Sequence, residues 1–250
     1  MPDAPLVLVA LVLVAGSATL QGTTGFGYNI LLVPLLSLFV DPKVVIPTII
    51  LHNVLLDSVV LATAWRSVRL RRIWLLLVAG LIATPLGVLL LGVLDPEPLR
   101  LLIGLTVVVT GTLMLAGWRR RISNDRLASG IAGSVGGMMN GLIGMAGPPV
   151  ILLFANQGMA PSEFRANIVT YFTVITIVAV AAFWLEGALT RDVVSLTAAT
   201  VPATALGVVL GIRLHGRVPV ELFYRVSLLL VILAGGIALV ASTVALIGGS

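Results

Sequence analysis

Asp57 falls inside a long apolar run, residues 44–65, about 4 Å past its midpoint at roughly 1.5 Å per helical residue. An acid at that depth in hydrocarbon is costly, and proton coupling is the chemistry it offers. The alternative is an Asp that is neutral or bonded to an amide and joins two helices. Asn53 lies one turn earlier on the same face, whereas His52 points elsewhere. A second set of residues surrounds two glycine-rich stretches, Gly22-Thr23-Thr24-Gly25-Phe26-Gly27 and Gly141-Leu142-Ile143-Gly144-Met145-Ala146-Gly147-Pro148-Pro149. Gly permits unusual dihedrals and Pro suits a first helical turn, so both stretches read as helix starts within the membrane. The unpaired N–H groups and dipole of such starts stabilise an anion without a buried Lys or Arg. Gln21 and Asn140 add amide donors, and Thr23, Thr24, Tyr28 and Asn29 add hydroxyl or amide contacts. The competing reading is that these glycines only let helices approach closely.

The elements that must hold these residues follow from composition. The chain is 59% hydrophobic and 10% charged, with a mean hydropathy of +1.16, against about 45–50% and about 25% for soluble domains. A water-soluble enzyme is excluded. Apolar segments fall near 4–21, 28–40, 44–65, 73–94, 98–118, 127–140, 145–158, 164–185, 193–213 and 219–247, and about 20 helical residues cross a bilayer core. The fold class is therefore an all-α polytopic membrane protein. Cys is absent and the two His, His52 and His215, are too few for a His-rich metal site. No Gly-rich stretch runs into Lys-Ser or Lys-Thr, so no ATP motif is present and no cofactor is expected.

Charge placement gives an orientation. Arg66, Arg69, Arg71 and Arg72, then Arg119, Arg120, Arg121 and Arg126, then Arg213 and Arg217, fall in one set of loops; the other set has Lys43, Arg100 and Arg191 among Asp3, Asp41, Asp95, Glu97, Glu186 and Asp192. The positive-inside rule puts both termini outside the cell membrane. Trp65, Trp74, Trp118 and Trp184 read as belt residues. Ala15-Gly16-Ser17-Ala18 resembles a signal cleavage site, but the basic n-region is missing and 127–140 is an equivalent segment, so the first segment is structural.

Shifting the chain by 119 positions lays Gln21-Gly22-Thr23-Thr24-Gly25 on Asn140-Gly141-Leu142-Ile143-Gly144 and Trp65 on Trp184; a shift of 120 lays Ala83–Val88 on Ala203–Val208. The expectation is one transporter domain over 1–250, with repeat one at 4–118, a cytoplasmic linker at 119–126 and repeat two at 127–248. Five segments per copy invert the second relative to the first, the arrangement that alternating access uses. Asp57 corresponds to Thr176, so any proton role is asymmetric. Arg165 opens the eighth segment, ahead of Asn167, Thr170 and Tyr171; with Asn53 and Asp57 these are the candidate coupling or gating residues. Snorkelling to the cytoplasmic surface is the favoured reading of Arg165, and attraction of an anion the alternative. Glu221 and Arg225 form an i,i+4 pair with no assigned role.

Gly25-Phe26-Gly27 leading to Leu32-Val33-Pro34, Gly144-Met145-Ala146-Gly147-Pro148 leading into Val150-Ile151, and Arg165-Ala166-Asn167-Ile168-Val169-Thr170 resemble the TauE/SafE family of sulfite and organosulfonate permeases. The glycine run departs from that pattern at Tyr28 and Asn29, and at Ala146. The resemblance implies transport of a small sulfur-containing anion such as sulfite, thiosulfate or a sulfonate. Candidate partners are that anion, the lipid bilayer, protons and a second copy in a homodimer; no nucleic acid is expected. Two other classes compete. Thr23-Thr24-Gly25-Phe26-Gly27 looks like a potassium-channel filter, but a filter needs four copies and the second repeat lacks it. An intramembrane enzyme lacks a nucleophile with a base or a second carboxylate near Asp57.

Overall fold

The computed structural model describes residues 4–24, 27–115, 124–214 and 236. Among these are nine α-helices and no strand: α1 Ala4–Thr24, α2 Tyr28–Ser37, α3 Pro42–Ala64, α4 Leu70–Val93, α5 Pro96–Leu115, α6 Asp125–Ile143, α7 Gly147–Asn156, α8 Pro161–Leu185 and α9 Arg191–Leu214, with a 3-10 turn at Trp65–Ser67. Five helical stretches are long and apolar enough to cross a membrane. The expected segment at 219–247, the linker residues 119–123, and His215, Arg217, Glu221, Arg225 and Trp118 lie outside the described residues.

Local signals set the boundaries. Asp41 accepts a hydrogen bond from the Lys43 N–H (2.8 Å) just ahead of Pro42, and Asn124 accepts one from the Leu127 N–H (3.1 Å). Both are N-caps that satisfy first-turn donors. α6 ends in a left-handed glycine cap. Gly144 adopts φ 68°, its N–H reaches the Asn140 carbonyl (3.0 Å), and the Met145 N–H reaches back to Met139 (3.3 Å).

α2 and α7 are ten residues each, about 15 Å of helix and half of what a bilayer core requires. They lead to opposite ends of the bundle. The carboxyl end of α2 is met at the Ser37 carbonyl by Arg100 Nε (3.0 Å), on the end where Lys43 Nζ caps the Gly92 carbonyl of α4 (3.1 Å) and Arg100 pairs with Glu97. The carboxyl end of α7 is met at the Gln157 carbonyl by Arg72 (3.3 Å), which also pairs with Glu163 (3.0 Å). The two charge groups of the sequence thus cap opposite ends of one bundle.

Packing between helices is reciprocal. α1 lies along α9, and α6 lies along α4; α3 packs on α8 at the centre, α4 on α8 and α3 on α9. In the numbering of the two expected repeats, the first helix of each rests on the fourth helix of the other. Small residues allow this: a Cβ on Gly137 would sit 2.4 Å from the Gly80 carbonyl, one on Gly141 2.4 Å from the Thr84 carbonyl, and one on Gly22 2.6 Å from the Val208 carbonyl. The backbones are in contact, as small-residue stripes in membrane helices permit.

Candidate functional site

The site forms where α2 and α7 begin. Gly27 ends the break after α1 with φ 104°, a left-handed conformation that an L side chain resists. Its partner break runs from Gly144 through Met145 and Ala146 to Gly147-Pro148-Pro149. Asn29 Nδ2 donates to the Gly144 carbonyl, so the first turn of α2 is bonded across to the end of α6. The amino ends of the two half-helices line one cavity, together with side chains of α1, α3, α6 and α8. It has about 20 Å³ of room for water centres, enough for a single water.

Four pairs of lining residues are separated by the same 119 positions that relate the halves of the sequence: Gln21 and Asn140, Gly27 and Ala146, Asn53 and Phe172, Asp57 and Thr176. The last pair touches, Thr176 Oγ1 donating to Asp57 Oδ2 at 3.5 Å.

Asp57 is buried. Its other oxygen accepts from Gln21 Nε2 (2.8 Å), and Gln21 Oε1 accepts from the Tyr28 N–H at the start of α2 (3.3 Å). One amide therefore joins the acid to the first N–H of the half-helix. A second network lies behind α2. The Tyr28 hydroxyl and His52 Nδ1 are 2.8 Å apart, and His52 Nε2 is 3.0 Å from Thr200 Oγ1 of α9. Thr200 directs its own proton to the Leu196 carbonyl (2.6 Å). His52 Nε2 must then donate to Thr200, and Nδ1 must accept from Tyr28, which assigns the neutral Nε2–H tautomer.

The half-helix ends differ in what they offer. By helix geometry the first-turn N–H groups have no intrahelical partner. Gln21 takes that of Tyr28, leaving those of Asn29 and Ile30 in α2; Pro148 and Pro149 remove two from α7, leaving that of Gly147. Three lining amides carry a buried atom with no hydrogen-bond partner among the described residues: Asn140 Nδ2, Asn53 Oδ1 and Asn29 Oδ1. Asn140 is only 2% exposed. A buried polar group left unpaired costs about 1–3 kcal/mol, so Asn140 Nδ2 is a donor in want of an acceptor.

Of the sequence candidates, Gln21, Gly27, Asn29, Asn140, Met145, Ala146, Gly147, Asn53 and Asp57 come together on the cavity. Tyr28 joins through its N–H and hydroxyl, and Gly144 through its carbonyl. Others stand apart. Gly22 and Gly141 press against α9 and α4. Thr23 turns its hydroxyl back to the Thr19 and Leu20 carbonyls (2.7 and 2.8 Å), Thr24 is the last residue of α1, and Gly25 and Phe26 lie outside the described residues. Thr170 bonds within its own helix, Asn167 Oδ1 accepts from the Arg69 N–H (2.9 Å), and the Tyr171 hydroxyl donates to the Gly133 carbonyl (2.8 Å); none of the three lines the cavity. Arg165 is half-buried, and its guanidinium donates to the Gly22 carbonyl (3.2 Å), in the last turn of α1 where carbonyls lack helical partners. Sequence reasoning left out Ile30, Ile151 and Phe172 on the cavity, and His52 behind it. The first three are apolar and carry no chemical signal. His52 does lie off the Asp57 face; its partners come from other helices, which a single helical face cannot reveal.

Comparison with known proteins gives the family. The sulfite exporter TauE/SafE family model matches residues 8–239. The chain is 34% identical over 83 residues to the "Probable sulfite/organosulfonate exporter TauE" of Cupriavidus necator, a match covering 33% of this chain and 32% of that protein. It is 27% identical over 179 residues to the "Probable inner membrane transporter protein TsaS" of Comamonas testosteroni, covering 68% of this chain and 72% of that protein. No solved structure matches. A bundle of apolar helices with two half-length members and a polar cavity at their starts is the framework of a membrane transporter rather than an enzyme, and the chain belongs to the TauE/SafE sulfite exporter family.

Proposed function

We propose that this protein is a secondary transporter of a small sulfur-containing oxoanion, which it binds at the meeting point of α2 and α7 and moves by alternating access with a proton on Asp57. The observation that carries the reading is the cavity itself. Two helix amino ends and the unpartnered Asn140 Nδ2 converge on it, and such ends favour negative charge. The sulfur anion comes from the names of the relatives.

The same cavity contains Asp57, which sharpens the mechanism. An ionised carboxylate about 5 Å from a bound anion would repel it by roughly 3 kcal/mol at an effective dielectric constant near 20. That is about two orders of magnitude in affinity. A protonated Asp57 removes the repulsion, so anion and proton bind together. In this reading the single domain spans 1–250, and its repeats, 4–118 and 127–248, are inverted with both termini outside; the reciprocal helix packing and the paired cavity residues support that arrangement.

Proteoliposomes under a gradient of a sulfonate, whose own charge stays constant across the range, test the reading in a pH series. Flux should rise as pH falls in the natural protein and lose its pH dependence in Asp57→Asn. An Asp57→Asn profile that still follows pH would remove Asp57 as the proton carrier. Absence of sulfur-anion flux at every pH would remove the transport reading.

A further inference from the structure

We infer that the cavity selects anions with a single negative charge and rejects dianions of the same shape. The inference rests on the anion-site reading above and adds the charge state of the ligand. Among the thirteen described lining residues Asp57 alone is ionisable, and none is Lys, Arg or His. The Arg165 guanidinium is engaged on the Gly22 carbonyl, and the His52 ring lies between Tyr28 and Thr200.

What remains to balance an anion is two helix amino ends, each about half a positive charge, and the Asn140 Nδ2 donor, the Asn29 Nδ2 being spent on the Gly144 carbonyl. The α7 end is the poorer of the two in donors, because Pro148 and Pro149 have no N–H. Their sum is close to one elementary charge. With Asp57 protonated, a monoanion leaves the cavity near neutrality. A dianion leaves one negative charge buried and uncompensated, which a low-dielectric interior does not tolerate. The rest of the lining, Ile30, Met145, Ile151 and Phe172, is apolar. It suits a neutral fourth substituent on sulfur in place of a charged oxygen.

Three ligands of one tetrahedral shape separate charge from apolarity: methanesulfonate (monoanion, methyl), sulfamate (monoanion, polar amino group) and sulfate (dianion). Their dissociation constants are measured by calorimetry on the full chain in detergent at one mildly acidic pH. Methanesulfonate and sulfamate should bind alike, and sulfate at least 100-fold more weakly. Asp57→Asn, the isostere of the protonated acid, should leave that gap within about threefold of its value in the natural protein. Sulfate binding as tightly as the monoanions overturns the inference. So does tight binding of methanesulfonate alone, which would assign selectivity to the apolar lining. A gap that collapses in Asp57→Asn overturns the inference, because it would place the discrimination in an ionised Asp57 rather than in the two helix ends. Failure of all three ligands to bind overturns the anion site beneath the inference, a result distinct from sulfate binding well.

Discussion

Replacing Asn140 by Leu is the most direct perturbation of the cavity. The side chains are close in volume, so the substitution removes a donor without opening a large void. In the unliganded protein Asn140 Nδ2 has no partner among the described residues, and the residue is almost wholly buried. Its removal should therefore leave stability unchanged or raise it, since an apolar group of similar shape relieves an unsatisfied donor worth about 1–3 kcal/mol. Binding should respond in the opposite direction. A hydrogen bond to a charged group contributes about 1.5–3 kcal/mol, so the variant should bind sulfite or methanesulfonate roughly 10- to 150-fold more weakly. The assay pairs thermal unfolding of the detergent-purified protein with calorimetric titration of the anion. Unaltered affinity alongside unaltered stability would refute the reasoning, because it would mean that the Asn140 amide faces no ligand. Loss of both together would point to a structural bond instead.

Two glycines at the breaks should respond differently to alanine. Gly141→Ala places a Cβ 2.4 Å from the Thr84 carbonyl and should cost roughly 1–3 kcal/mol through forced separation of α4 and α6. Gly144→Ala has ordinary space, its nearest neighbours being 3.5 Å away, but holds φ 68°, so it should cost about 1–2 kcal/mol through backbone strain alone; denaturation that ranks Gly144 well above Gly141 would contradict the packing. Tyr28→Phe removes the hydroxyl that bonds His52 and should destabilise by about 1–3 kcal/mol while leaving ligand affinity within a few-fold. A large loss of affinity with intact stability would move Tyr28 into the binding surface.

The parts of this structure that were legible beforehand are those written in local chemistry. Pro42 after Asp41, Pro161, and Gly144 followed by Gly147-Pro148 mark helix ends by caps and prohibited N–H bonds, and the boundaries lie within a few residues of the expected ones. α2 is shorter than the 28–40 segment because Leu38-Phe39-Val40, though apolar, form a closing turn in which the N–H groups of Phe39 and Val40 both return to the Leu36 carbonyl. The cavity was found through the equivalence of Gln21 with Asn140, which the 119-residue shift exposes. Gly22 and Gly141 were harder. A glycine against a ligand and a glycine against a neighbouring helix leave the same mark in a sequence, and only the position of α9 or α4 tells them apart. The Arg165 contact was hidden for a related reason: its acceptor is a backbone carbonyl of α1, and backbone acceptors have no sequence signature.

The pairing of α1 with α9, and of α6 with α4, bears on how the molecule is made and how it moves. A chain emerging from the ribosome presents α1 long before the helix that will hold it, so α1 must wait in lipid or against the insertion machinery until α9 has been made. The same interlacing means that no cut at the centre of the sequence yields two rigid pieces. Any motion that opens the cavity has to carry α1 along with α9, so each mobile body draws its members from both ends of the polypeptide.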